Sequence, residues 1–179
     1  LVQHLIVNSF AKRGAESFEA AAHFMESLPF RYALEIFVIA LPLLYHAIYG
    51  VYIAFTAKNN VKNYGFYRNW MFMLQRVTGV LTFIFVVWHV WETRMQVALG
   101  KDTVDFNMMA DILSNPWMLA FYIIGVVSAI FHFANGLWTF FISWGITVSP
   151  QSQKISSYVT MIIFVLLSYV GVTALFAFV

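Results

Sequence analysis

The chain has 179 residues, 61% hydrophobic and 10% charged, with 19 Phe, 9 Tyr, 6 Trp, 8 Met and a formal net charge of +2. A soluble domain is normally about 25% charged and at most about half apolar, so this composition marks an integral membrane protein and gives nucleic acid no hold. There are no cysteines, which excludes disulfides, thiolate metal sites and a cysteine-held iron–sulfur cluster within the chain.

The first seven residues, LVQHLIV, are apolar but too short to span, and they lack the basic flank and cleavage pattern of a signal peptide. They read as the tail of a membrane helix, segment I, whose start lies outside this sequence. Residues 8–29 are polar. Within them AESFEAAAHFMESL sets Phe18, Ala22 and Met25 on one helical face, the pattern of a short helix lying in the membrane interface. Segment II spans 30–57 and holds Pro42, which a membrane helix tolerates where neighbours satisfy the freed carbonyl. The turn KNNVKNYGFYR leads into segment III, 69–91. A polar loop, 92–115, holds a second candidate interfacial helix with Phe106, Met109 and Leu113. Pro116 opens segment IV, which runs to 148, and SPQSQK links it to segment V, 155–179, free of acidic, basic and His residues. Roughly 20 apolar residues suffice to cross a bilayer. The expected fold is therefore an all-α membrane protein with five transmembrane helices, the first truncated, forming one domain over 1–179.

An imidazole inside lipid is costly and marks a functional site by default. Here His4, His46, His89 and His132 follow one another at intervals of 42, 43 and 43 residues, one in each of segments I to IV. His4 and His89 fall near one end of their segments, His46 and His132 nearer the other. At about 1.5 Å per residue, this gives an outer pair, His4 with His89, and an inner pair, His46 with His132. Each pair joins alternate helices, which face each other across an up-down bundle. Two neutral imidazoles on opposite sides of an iron porphyrin make a six-coordinate haem suited to electron transfer, so segments I to IV are expected to form a dihaem four-helix bundle. A porphyrin needs clearance: Gly50 and Gly136 lie four residues after His46 and His132 on the same face, and Gly79 lies ten before His89. Arg76, within the first third of segment III, is expected to pair with a propionate of the inner haem, since an arginine at that depth is costly without a counter-charge. His23, in the polar stretch, reads as a solvated interface residue.

The loops between II and III and between IV and V, with the adjoining helix start, contain Lys58, Lys62, Arg68, Arg76 and Lys154 and no acid. All eight acidic residues lie towards the other side, with five basic residues in longer loops. Basic density decides orientation, which places the short basic loops in the cytoplasm and the C-terminus outside. At the outer ends of segments I to III, Gln3, Arg31, Glu35 and Glu92 place polar groups beside apolar walls near the outer haem. Glu35 leads as a proton relay, because a carboxyl one turn inside a membrane helix is partly desolvated.

The motifs QHLIVNSFA, SLPFRYALEIF, YHAIYGVYIAFTAKNN, LQRVTG, WHVWETR and FHFANGLW closely resemble the cytochrome b558 anchors of Bacillus-type succinate:menaquinone reductase (succinate dehydrogenase), a likeness covering essentially all 179 residues. The resemblance implies two haems b, the outer held by His4 and His89 and the inner by His46 and His132. It also implies an FAD-bearing flavoprotein and an iron–sulfur subunit docked on the cytoplasmic face, and electron delivery to menaquinone near the outer side of the bacterial membrane, as part of the tricarboxylic acid cycle. Gln3, Arg31, Glu35 and Glu92 are then the candidates for the quinone site, with Glu35 as its proton relay. Succinate oxidation would reside in those partners. A fumarate reductase anchor running the reverse reaction has the same parts. A reading of a different class, a transporter passing metal ions or protons along the histidines, requires acids beside them at mid-membrane and broken helices.

Overall fold

Every regular element of the computed structural model, which covers residues 1–179, is helical. Helix α1 (Val2–Ser9) runs into a 3-10 turn, Phe10–Arg13, followed by α2 (Ala15–Glu26). Then come α3 (Arg31–Thr56), α4 (Tyr67–Ala98), α5 (Phe106–Ser114), α6 (Pro116–Ser143) and α7 (Pro150–Leu175), with a last 3-10 turn at Phe176–Phe178. Four of these, α3, α4, α6 and α7 with its last turn, are long and apolar enough to cross a membrane, at 26, 32, 28 and 29 residues. They correspond to segments II to V. Where a fifth span was expected, α1 contributes 8 residues.

Two boundaries differ from expectation, each for a local reason. Segment IV stops at Ser143, because Gly145 adopts a left-handed φ of 68°. The Ile146 and Gly145 N–H groups then return to the Phe141 and Ile142 carbonyls, closing the helix with the two bonds of a Schellman turn. SPQSQK is not a link but the start of α7: the Ser149 hydroxyl accepts from the Ser152 N–H at 3.1 Å, Ser152 reciprocates, and Pro150 occupies the first turn.

The third difference concerns α4, which continues through residues 92–98 instead of ending in a loop. It does so by widening into a π turn over Trp91–Met95. A second wide turn, Leu34–Ala40, lies in α3 just before Pro42. A proline ring collides with the carbonyl four residues back, and a widened register relieves that collision. The two wide turns meet across the helices, where Arg94 Nη2 donates to Glu35 Oε2 at 2.8 Å.

Packing centres on α6, which lies between α4 and α7, while α1 rests on α7 and α3 touches α4. Glycines set the closest approaches. A Cβ on Gly125 would lie 2.2 Å from the Phe85 ring, and one on Gly171 would lie 2.8 Å from Val126 and 3.2 Å from Leu5. The tightest packing within the chain is an α4–α6–α7 unit with α1 against α7. Helix α3 buries none of its side chains against the protein.

Around the ends of α1, α6 and α7 the two short helices α2 and α5 form a cap. Phe18 of α2, Phe106 of α5 and Phe178 meet with ring centroids 4.8–6.2 Å apart. Phe18, Ala22, Met109 and Leu113 are buried there, as the helical pattern predicts. At the opposite end, Arg68 bonds Gln153 and the Trp138 indole donates to the Gln153 carbonyl at 2.9 Å. The α3–α4 and α6–α7 loops therefore share one end of the molecule.

Gly125→Ala is expected to lower stability more than any other single methyl added at a glycine, by about 1–3 kcal/mol for overpacking, because its Cβ would overlap Phe85. Thermal denaturation in detergent, with Gly50→Ala as the comparator, measures it.

Candidate functional site: two imidazole pairs

Apolar surroundings force every polar hydrogen in a membrane helix to find a partner, and the partners decide what each histidine can do. His89, near the end of α4's regular turns, has its Nδ1 3.2 Å from the Tyr122 hydroxyl of α6. That hydroxyl donates onward to Glu92 Oε2 at 3.2 Å, which also accepts from the Trp88 indole at 3.0 Å. His132, on α6, has its Nδ1 3.0 Å from the Gln75 backbone carbonyl of α4. A carbonyl only accepts, so the His132 proton sits on Nδ1 and the Nε2 lone pair is free for a metal. Gln75 reinforces this contact: its side-chain amide donates to the His132 carbonyl at 3.0 Å, and its Oε1 accepts from Asn135 at 2.6 Å.

The structure brings the four histidine rings into two pairs. His4 and His89 have centroids 5.8 Å apart and ring planes at 73°. For His46 and His132 the values are 6.0 Å and 76°. An imidazole nitrogen lies roughly 2.0–2.1 Å from a metal it binds, which puts the centroids of two trans imidazoles about 6 Å apart. Both pairs meet that spacing. No group of three or more His, Cys, Asp or Glu occurs, so each pair offers a metal two nitrogens and leaves the remaining positions to another ligand. His23 stands apart, 74% exposed and 3.8 Å from Glu26.

The glycines divide differently from the sequence expectation. Gly79, assigned there to His89, faces His132 instead: a Cβ would lie 2.9 Å from its Cε1. Gly136 faces the Gln75 amide at 3.2 Å, so it serves helix contact. Gly50 meets no protein atom within 4 Å. Arg76 has no acidic partner. Its Nη1 donates to the Phe72 carbonyl at 2.7 Å, its guanidinium lies 3.3 Å from the Phe72 ring centroid, and its Nε is buried with no hydrogen bond.

The polar candidates at the other end fall into three places. Arg31 and Glu35 join Glu26 and Arg94 in an ion-pair chain, with Arg31–Glu26 at 3.2 Å and Arg31–Glu35 at 3.7 Å. Beside it lies a cleft of about 500 Å³ walled by Leu28, Phe30 and Tyr32, where Phe30 takes a left-handed φ of 56°, strained for a bulky residue. Gln3 donates to Met25 Sδ at 3.4 Å, in a groove between α1 and α2. Glu92 is committed to Trp88 and Tyr122, behind His89. Nothing in the spacing of Tyr122 separates it from the chain's other tyrosines, so its role is not legible in the sequence.

Comparison with known proteins shows the family to which the chain belongs. The chain is 69% identical to the succinate dehydrogenase cytochrome b558 subunit of Bacillus subtilis (strain 168), over all of its own length and 88% of that relative's. No solved structure matches it. Residues 56–171, which include His89, His132, Gly79 and Arg76, match the family model described as succinate dehydrogenase/fumarate reductase transmembrane subunit. With four membrane-long helices, cross-helix histidine pairs and this likeness along its whole length, the chain belongs to the succinate dehydrogenase/fumarate reductase transmembrane subunit family.

Proposed function

We propose that this chain is the dihaem cytochrome b membrane anchor of a succinate:menaquinone oxidoreductase. The observation that carries the reading is the pair of imidazole pairs, 5.8 and 6.0 Å between centroids. The donor chemistry fits haem b: each pair supplies two nitrogens, a porphyrin supplies the other four, and the His89 and His132 rings are held by Nδ1 with Nε2 free. When bound, the two haems supply one-electron carriers between the cytoplasmic face and the outer half of the membrane.

The chain's own residues then have separable tasks. His4 and His89 would hold the outer haem, and His46 and His132 the inner one. Arg76, its buried Nε unpartnered, would meet a propionate of the inner haem, since an arginine within a membrane span is costly without a counter-charge. The open face at Gly50 leaves room beside His46. Menaquinone reduction consumes two protons, so its site needs a polar group in contact with water. Glu35, partly open to solvent at the end of the ion-pair chain that adjoins the Phe30–Tyr32 cleft, supports that assignment, and Gln3 lies in the neighbouring groove. The iron–sulfur subunit would dock on the acid-free end that carries Lys58, Lys62, Arg68 and Lys154, taken as cytoplasmic, with the flavoprotein beyond it.

A pyridine haemochrome assay should find two haems b per chain. His46→Ala or His132→Ala should remove one, and His89→Ala the other; loss of the same signal in His46→Ala and His89→Ala would break the pairing. Glu35→Gln should slow menaquinone reduction several-fold while succinate still reduces both haems, and an unchanged rate would remove Glu35 from the site. A cysteine placed at Asn60 should be labelled only from the cytoplasmic side and be shielded in the assembled complex. Labelling from outside would invert the topology.

A further inference from the structure

Tyr122, 1% exposed at the His89 end of the α4–α6 contact, is a fully buried side chain that the electron-transfer reading leaves unused. Its hydroxyl has two partners, each at 3.2 Å: His89 Nδ1 and Glu92 Oε2. A carboxylate accepts and cannot donate, so the phenol's one hydrogen goes to Glu92 and its oxygen accepts from His89. The His89 hydrogen is therefore on Nδ1. The ring is also held mechanically, stacked on Phe85 at 5.6 Å and 19° and met edge-on by Tyr122 at 5.6 Å. Glu92 is itself fixed by the Trp88 indole and by the π turn that carries it.

The other fixed histidine differs in one respect. His132 gives its Nδ1 hydrogen to the neutral backbone carbonyl of Gln75, whereas the His89 chain ends on a charged carboxylate. Partners on the far nitrogen of a ligating imidazole fix its tautomer and raise its basicity. A relay ending in negative charge pushes electron density towards Nε2 and favours a ferric over a ferrous iron bound there.

We infer that Tyr122 is a positioning residue for His89, and that with Glu92 it lowers the redox potential of the haem held by His4 and His89. This rests on the dihaem reading above. Tyr122→Phe removes the hydroxyl and keeps the ring, and Glu92→Gln keeps an acceptor and removes the charge. Both are tested in the purified holoprotein by visible redox titration of each haem and by the ferric EPR signals, with the haems told apart through His46→Ala and His89→Ala.

In Tyr122→Phe the reduced-to-oxidised ratio of the His4/His89 haem at a fixed potential should rise about tenfold, an upward shift of about 59 mV for one electron. The other haem should not move. Glu92→Gln should shift the same haem in the same direction by less. Two haems with unchanged potentials and EPR signals in Tyr122→Phe would overturn the inference and leave the dihaem reading standing. So would loss of the haem in Tyr122→Phe with no shift in Glu92→Gln, since Tyr122 would then only fill space. A wild-type protein with fewer than two haems, or none dependent on His89, would overturn both.

Discussion

The close approach of α4 to α6 is the constraint on which the rest of the structure depends. Three glycines set it, and each faces a side chain of the opposite helix: Gly125 meets Phe85, Gly79 meets His132 and Gly136 meets Gln75. In a membrane no hydrophobic force separates one apolar helix contact from another, so small residues decide which helices come together and how closely. The three contacts alternate between the helices along their length. They fix rotation as well as distance, and with it the directions in which His89 and His132 point.

That rotation accounts for the polar links. With α6 turned so that Gly125 admits Phe85, Tyr122 lies against His89; with Gly136 against Gln75, the Gln75 carbonyl is placed to receive His132. Each link costs little because it satisfies groups that lipid would leave unpaired. The two π turns extend the same logic to the helix ends. Widening carries Glu92 towards α6 and Arg94 towards Glu35, so acids and bases that would be expensive as isolated charges are each held in a bonded set, one around Glu92 and one around Glu35.

Much of this is legible in the sequence, for identifiable reasons. Long apolar runs bounded by Pro116 and polar turns mark the spans, and Phe18, Ala22, Met109 and Leu113 show their buried face through helical spacing. Equal spacing puts one histidine on each of four segments, and depth sorts them into the pairs the structure brings together. What was not legible depends on rotation between helices. Tyr122 is one of nine tyrosines and acquires its partners only once α6 has turned towards α4. Gly79 was matched to the histidine nearest in its own segment, whereas its contact comes from the other helix. Residues 92–98 look like a loop because they are polar, yet their charges have partners on α3 and α6, and the helix goes on.

The rings of each pair are not equally held. His89 and His132 are fixed by hydrogen bonds on packed helices, while His46 has no hydrogen bond and stands on α3, the helix with least cover from the rest of the chain. His4 has only a 3.4 Å contact with Asn8 on the short α1. Packing within the chain thus fixes one ring of each pair by hydrogen bonds between α4 and α6. The second ring stands in one case on the short α1, packed against α7, and in the other on α3, where no side chain is buried. In each pair, then, the two rings answer to different helices.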